Sequence, residues 1–439
     1  MEHGSVWACV LQKLNATMAS VGEPIDTSCV HHVSACSQDD RRPARRRISN
    51  KARDPYAAVP DPLPWSTVEL PPDSHVCAFR NKPTARPACV DWEISDIKRR
   101  CFLIRRLGEG TDGQVYAGKY TGEADHVAVK ISGTQHLHKP IYATEIAILT
   151  RLRNHENVVR LRDFFFSPYF SVMVLQQLLD TDLWHVLNRF SDSSGLQPVV
   201  ATHITGLVAL GVAHVHSHDI IHRDLHGGNI LLSFKGGLRA AIEGGLQPAN
   251  LVDRVCIADF GQACDVHGSK RYEERSVGVG SYAITPPECY FAMKGLAKKK
   301  AMYDSAVDVW AIGVNLLMMI AGPKKIYTFN FNRSADYLGC WAAMIGKVPA
   351  TVANRMGWVL EAGALRDNKT RYGLQPNAGL QPIAVAPLLR SSMTRKETAM
   401  CSLHHTMLEY DHTLRILSRD IHRRCEELTG LAASESGNA

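Results

Sequence analysis

Two short stretches narrow the choice of fold and chemistry more than anything else in the chain. The first is His222-Arg223-Asp224-Leu225-His226-Gly227-Gly228-Asn229. The second, behind the apolar run Val255-Cys256-Ile257-Ala258, is Asp259-Phe260-Gly261. A carboxylate at Asp224 can orient a hydroxyl and accept its proton. The amide carbonyl of Asn229 and the carboxylate of Asp259 are oxygen donors of the kind a hard divalent cation takes. The apolar run reads as a buried strand that would hold Asp259 rigidly at its end.

A glycine-rich segment lies upstream, Gly108-Glu109-Gly110-Thr111-Asp112-Gly113-Gln114-Val115. Backbone without a Cβ can turn tightly and approach anionic phosphates closely. Alone, this spacing also fits a plain loop or a dinucleotide fingerprint, and the fingerprint needs a helix directly after the loop. Here Val115-Tyr116-Ala117 and Val127-Ala128-Val129-Lys130-Ile131 continue with strand composition, which favours a hairpin. An ammonium at Lys130 inside an apolar strand is costly unless an opposite charge meets it. Nucleotide phosphates can supply that charge, and Glu145, on a helical pattern running Ile141 to Arg153, can hold the lysine. The alternative is an exposed lysine at a strand end.

The chain has 439 residues, of which 45% are apolar, enough for a substantial core. Its net charge of +7 is modest for that length and gives no ground for expecting direct nucleic-acid binding. The clusters Arg41, Arg42, Arg45, Arg46, Arg47 and Lys298, Lys299, Lys300 read as solvated loops. Their functional readings are a nuclear-import signal and attraction of substrate or phosphate. Cys29, His31, His32 and Cys36 match no common zinc spacing. The start of the chain lacks the basic region of a secretory signal. The apolar run Ala306 to Ala321 contains Asp308 and is too short to span a bilayer comfortably. A soluble protein of the cytoplasm or nucleus, without membrane association, is expected.

Residues 1–95 are rich in Pro, Ser, Asp and Arg and show no sustained period, so a flexible extension is expected there. Residues 96–178 read as a small β-rich part with one main helix, Ile141 to Arg153. Residues 179–428 read as a larger helical part, with helices over Val200 to His216, Ala306 to Ile320 and Asp411 to Leu428. Residues 429–439 read as a tail. Gly-Leu-Gln-Pro occurs four times, from Gly195, Gly245, Gly373 and Gly379, at irregular intervals that argue against a repeat architecture.

From about residue 99 to 425 the chain resembles the eukaryotic protein kinase family. The resemblance rests on the stretches above and on later marks. His155-Glu156-Asn157-Val158-Val159 resembles the turn before the fourth strand, and Pro286-Pro287-Glu288 stands for the usual Ala-Pro-Glu. Asp308-Val309-Trp310 with Gly313 resembles the buried helix that anchors the catalytic loop. The wording of Glu145 to Leu149, Leu178 to Leu183 and Met407 to Asp411 is similar to the mitogen-activated and cyclin-dependent kinase branch. The resemblance implies an α+β bilobal fold, with a β-rich N-lobe and a helical C-lobe. It implies transfer of the ATP γ-phosphate to serine or threonine of protein substrates, with Mg²⁺ as cofactor. Asp224 would be the base, Lys130 held by Glu145 the phosphate clamp, and Asn229 and Asp259 the metal ligands. The segment Gly108 to Val115 would cover the phosphates. Val115, Ala128 and Leu231 would sandwich the purine, Gln177 and Leu179 would bond it through their backbones, and Gln176 would stand behind it. Glu288 and Arg415 would form a buried ion pair. Ser269, Tyr272 and Ser276 are phosphorylatable positions of the activation segment, for which Arg223 could be the receiver. Nothing in the resemblance sets the oligomeric state, and relatives from large DNA viruses, acting inside a host cell, suit its loosened wording.

The departures carry information too. His226 occupies the place where serine/threonine members usually carry a lysine for the γ-phosphate. An imidazole, largely neutral near pH 7, offers a hydrogen bond with less charge. Reduced rather than abolished turnover is expected. Thr285 replaces the arginine of proline-directed relatives, so a preference for proline after the target residue has no support. The alternative to an active enzyme is a pseudokinase or scaffold that binds nucleotide or partners without phosphotransfer.

Overall fold

The computed structural model describes residues 101–110, 113–120, 125–133, 141–152, 155–166, 170–176, 179–190, 195–244, 252–266, 284–293, 304–322, 337, 341, 345–346, 348–358 and 394–436. The expected N-terminal extension, the activation-segment hydroxyls, both basic clusters and the Cys29–Cys36 group lie outside them, as do three copies of Gly-Leu-Gln-Pro. Described residues fall into two compact units. One holds 101–152 and 160–176, the other 155–159 and 179–436.

The first unit is a five-stranded antiparallel sheet in the order β1-β2-β3-β5-β4 with one helix. Its strands are β1 Cys101–Gly110, β2 Gly113–Tyr120, β3 His126–Gly133, β4 Leu161–Phe166 and β5 Phe170–Leu175, and α1 is Ile141–Arg151. Period-2 alternation sends Val127, Val129 and Ile131 of β3 to one face, where all three are buried. Ala128 and Lys130 point to the other face. Cross-strand pairing sets Lys130 opposite Val115 on β2 and opposite Met173 on β5. On α1, Ile146 and Leu149, with Leu152 just past its end, are buried at helical spacing, as the apolar pattern requires.

The second unit is largely helical. Small sheets, β6 Thr181–Asp182 with β8 Ile230–Phe234 and β9 Val252–Ile257, and β7 Ile220–Ile221 with β10 Cys264–Asp265, sit among α2 Leu183–Phe190, α3 Pro198–Ser217 and α4 Gly237–Glu243. There follow α5 Pro287–Met293, α6 Ala306–Ala321, α7 Ala350–Met356, α8 Arg395–Ser402, α9 His404–Met407 and α10 Ser418–Ser436. The α3 helix is long and apolar enough to cross a membrane by length and composition. Here it packs on α10, α6 and β9 as a core helix. Its start uses the first Gly-Leu-Gln-Pro copy: Leu196 is buried, Gln197 is the N-cap and Pro198 opens the first turn. Every residue of α6 from Val307 to Ala321 is buried.

The helix expected over Asp411 to Leu428 is corrected at both ends. Asp411 accepts the Thr413 N–H at 3.1 Å and caps a short 3₁₀ turn, His412–Leu414. Only at Ser418 does α10 begin, and it runs past Leu428 to Ser436. Between them Arg415 turns inward to Glu288. Its Nη1 and Nη2 donate to the two carboxylate oxygens at 2.6 and 2.8 Å, both side chains being almost wholly buried. The expected ion pair is therefore present, and bidentate.

His404 introduces a pH dependence. It is fully buried, with Nδ1 2.5 Å from the Cys401 carbonyl and the His405 ring 4.0 Å away. Burial first, and the neighbouring His405 second, push its pKa from 6.5 down to about 4. The folded protein therefore takes up this proton at lower pH than the unfolded chain does. The stability at stake is complete above pH 6.5 and is lost as pH falls towards 4, reaching roughly 3 kcal/mol. Urea titrations at pH 7.5 and pH 5 should show the wild type losing more stability than His404→Asn, by about 2 kcal/mol. Equal losses would contradict the assignment. His222, whose pKa burial also lowers, contributes to both proteins alike.

Candidate active site

In the first unit, strand β3 presents Lys130 and helix α1 presents Glu145. Lys130 Nζ lies 3.2 and 3.1 Å from the two Glu145 carboxylate oxygens, and both residues are buried. The pair leaves neither charge stranded in the sheet–helix interior. Val115 and Ala128 share the Lys130 face of the sheet. The glycine-rich segment is the β1–β2 hairpin, in which Gly108 pairs with Val115, Glu109 with Gln114 and Gly110 with Gly113. A strand follows the glycines, as the hairpin reading requires and the dinucleotide fingerprint does not. Thr111 and Asp112, at the hairpin tip, lie outside the described residues. Gly113 has φ +138, and a Cβ there would come within 2.3 Å of the Ile131 carbonyl, so the strand pairing itself demands glycine. Gln176 follows β5 with an exposed side chain, its N–H donating to the Arg160 carbonyl at 2.8 Å.

In the second unit the loop from His222 to Asn229 is held from below by Asp308 on α6. The backbone N–H groups of His222 and Arg223 donate to its carboxylate oxygens at 2.9 and 2.8 Å. His216 Nε2 lies 2.8 Å from the same group, and His216 Nδ1 lies 3.1 Å from Ser418 Oγ. Burial pushes the Asp308 carboxyl up, but the hydrogen bond and charge of His216, together with His222, outweigh it and hold it below the usual range. Arg223 is in the left-handed region at φ 69, a conformation that costs a non-glycine residue about 1–3 kcal/mol. Two N–H bonds to one buried carboxylate keep it there. Asn315 Nδ2 adds a bond of 2.7 Å to the Leu225 carbonyl.

His222 is fully buried. Burial lowers its pKa, with Asp308 and Asp224 opposing. Its Nδ1 accepts the Asp224 N–H at 3.3 Å and its Nε2 faces the Ala258 carbonyl at 3.0 Å. A neutral ring with its proton on Nε2 satisfies both partners. This ring therefore ties the backbone of Asp224 to the residue before Asp259. Asn229 reinforces the link: its carbonyl accepts the Ala258 N–H at 2.9 Å, and Ile230 pairs with Ile257 across β8 and β9. Asp259 is left-handed at φ 61, and its Oδ1 accepts the Gly261 N–H at 3.4 Å. The second unit thus gathers Asp224, Asn229 and Asp259 around one hydrogen-bonded frame.

His226 Nε2 lies 3.8 Å from Asp224 Oδ2, and its Nδ1 accepts the Gly228 N–H at 3.0 Å. Leu231 is half-buried on β8, opposite Cys256 and Asp182, and Leu179 is half-buried just before β6. Gln177 lies outside the described residues. Sequence reasoning named the α6 segment as an anchor but missed His216 as a partner of Asp308. It also passed over Gly228 as a partner of His226, where the only signal was the run of two residues without side chains. Among the described residues no group of three or more His, Cys, Asp or Glu side chains is placed to hold a metal ion.

The family model for the protein kinase domain matches residues 102–423. This chain belongs to the protein kinase family. A β-rich unit and a helical unit give it the α+β kinase fold. Among its relatives is the serine/threonine-protein kinase US3 homolog of bovine herpesvirus 1.2 (strain ST). It is 30% identical over 232 residues, covering 51% of this chain and 40% of that protein. The US3 homolog of equine herpesvirus 1 (strain Ab4p) is 26% identical over 290 residues, covering 65% and 64%. The human serine/threonine-protein kinase TAO2 is 29% identical over 253 residues, covering 56% and 18%. The chain therefore spans between 18% and 64% of the length of these relatives. The resemblance to the mitogen-activated and cyclin-dependent branch finds no support among them, and the family assignment stands without it.

Proposed function

We propose that this kinase domain is an active serine/threonine protein kinase. The observation that carries the reading is the frame around Asp224, Asn229 and Asp259, together with a formed Lys130–Glu145 pair. Asp224 orients the acceptor hydroxyl and takes its proton as the hydroxyl oxygen bonds to the γ-phosphorus. The bond from that phosphorus to the bridging oxygen breaks, and its electron pair leaves on ADP. Lys130, fixed by Glu145, supplies positive charge to the nucleotide phosphates. On the family pattern, the glycine-rich segment is the part assigned to the phosphates, and Val115 and Ala128 of the first unit and Leu179 and Leu231 of the second are assigned to the adenine, with Gln177. Catalysis on this reading is positioning and charge neutralisation, with no covalent intermediate on the protein.

Magnesium fits the donor set. Asn229 Nδ2 is tied to the Asp224 carbonyl at 2.8 Å, which turns Oδ1 the other way, and Asp259 adds a carboxylate, so both offer the hard oxygen donors this ion prefers. When bound, it neutralises charge on the phosphates. Protein substrates are the expected partners, and the relatives' serine/threonine designation supports a hydroxyl acceptor of that type. A pseudokinase reading rests on His226 alone. Incubation with γ-labelled ATP, Mg²⁺ and a general protein substrate, followed by phosphoamino-acid analysis, tests the proposal. Phosphoserine or phosphothreonine is expected; label on tyrosine only, or no label at all, would contradict it.

A further inference from the structure

The catalytic loop carries Gly227-Gly228 between His226 and Asn229, and those missing side chains are occupied by neighbours. A Cβ on Gly227 would stand 3.3 Å from Cγ and Cδ2 of Trp184, on α2. A Cβ on Gly228 would stand 2.9 Å from His226 Cε1, 3.1 Å from His226 Nδ1 and 3.1 Å from Trp184 Cδ1. The indole of Trp184 and the imidazole of His226 therefore share the space above the glycine pair. His226 is also the N-cap of the 3₁₀ turn Gly227–Asn229, because its Nδ1 receives the Gly228 N–H.

That hydrogen bond decides the tautomer. A ring nitrogen accepting an N–H carries no proton of its own, so in the neutral ring the proton sits on Nε2. The same Nε2 is the atom 3.8 Å from Asp224 Oδ2. Hydrogen bonds of catalytic groups are often this long before substrate binds and tighten in the reacting complex. We infer that Gly228 and Trp184 are positioning residues that lock His226 as an Nε2–H donor aimed at Asp224. The inference rests on the proposed kinase activity for its consequence, but the lock itself is independent of turnover. A donor of fixed direction thus stands where related kinases place a mobile ammonium. Gly228 is then a requirement of the histidine: its backbone N–H must reach Nδ1, and a Cβ there would crowd the ring.

Two measurements test this. Nitrogen-15 spectra of ring-labelled histidines, with His226 assigned by its loss in His226→Gln, should show Nδ1 unprotonated and Nε2 protonated in the wild type at pH 7.5. A proton found on Nδ1 would overturn the inference whether or not the protein transfers phosphate. In Gly228→Ala the ring must move, so the His226 Nδ1 resonance should shift. The turnover number should fall about tenfold or more, with KM for ATP nearly unchanged, as expected for a misplaced catalytic group. Trp184→Ala/Gly228→Ala should recover part of that loss, because the added methyl can then relax towards the vacated indole site. Wild-type turnover and an unmoved Nδ1 resonance in Gly228→Ala would overturn the inference while leaving the kinase reading intact. An inactive wild type with the expected tautomer would instead overturn the kinase reading and leave the lock standing.

Discussion

Glu288→Ala should cost about 3–5 kcal/mol of folding stability, and Arg415→Ala at least as much. Removing Glu288 leaves a fully buried guanidinium that has lost both charge-assisted bonds. What remains to it is two carbonyls, Ala306 at 3.0 Å and Glu409 at 2.8 Å, and the Trp310 ring 4.9 Å away. Removing Arg415 strands the carboxylate, deprives the same carbonyls of their donor and opens a void against Trp310. Truncating both partners should cost less than the two single losses added together, because neither charge is then buried alone. Urea unfolding followed by circular dichroism reads all three. A loss below about 1 kcal/mol in both single variants would mean that the pair is not buried in solution.

The second large effect concerns activity. Asp224→Asn keeps the size and most hydrogen bonds of the side chain but cannot take a proton from the acceptor hydroxyl. General-base catalysis contributes typically about 10²–10⁴-fold, and turnover should fall within that range. The surrounding frame should survive, since His222 and Asn229 bond the backbone N–H and carbonyl of residue 224 rather than its carboxylate. Stability should therefore change little, which separates a catalytic defect from an unfolded protein.

Much of this architecture was legible in the residues because local pattern and chemistry agreed. A lysine in an apolar strand needs a counter-charge, and Glu145 one position before a buried isoleucine was the available one. The apolar run before Asp259 had to be a buried strand, and β9 is one. Other features depended on contacts between distant segments that no local period encodes. Residues 155–159 group with the second unit because Val158 bridges to Ile257 in parallel and Asn157 Nδ2 donates to the Val255 carbonyl at 2.8 Å. The late helix was placed too early because Asp411 and Arg415 look compatible with a helix. Their side chains are spent instead on a 3₁₀ cap and on Glu288. His226 was recognised as a departure, but its consequence could not be read, because that depends on a backbone N–H two residues away and a tryptophan on another helix.

The most direct test of the central claim is phosphate transfer from γ-labelled ATP, with Mg²⁺ and a general protein substrate, by wild type and Asp224→Asn side by side. Both proteins should first be shown equally folded. The proposed function predicts label on serine or threonine with the wild type, and a signal at least a hundredfold weaker, by about the lower bound for a lost general base, with the variant. Equal labelling by the two proteins, or none by either, would contradict the assignment of Asp224 as the base of an active kinase.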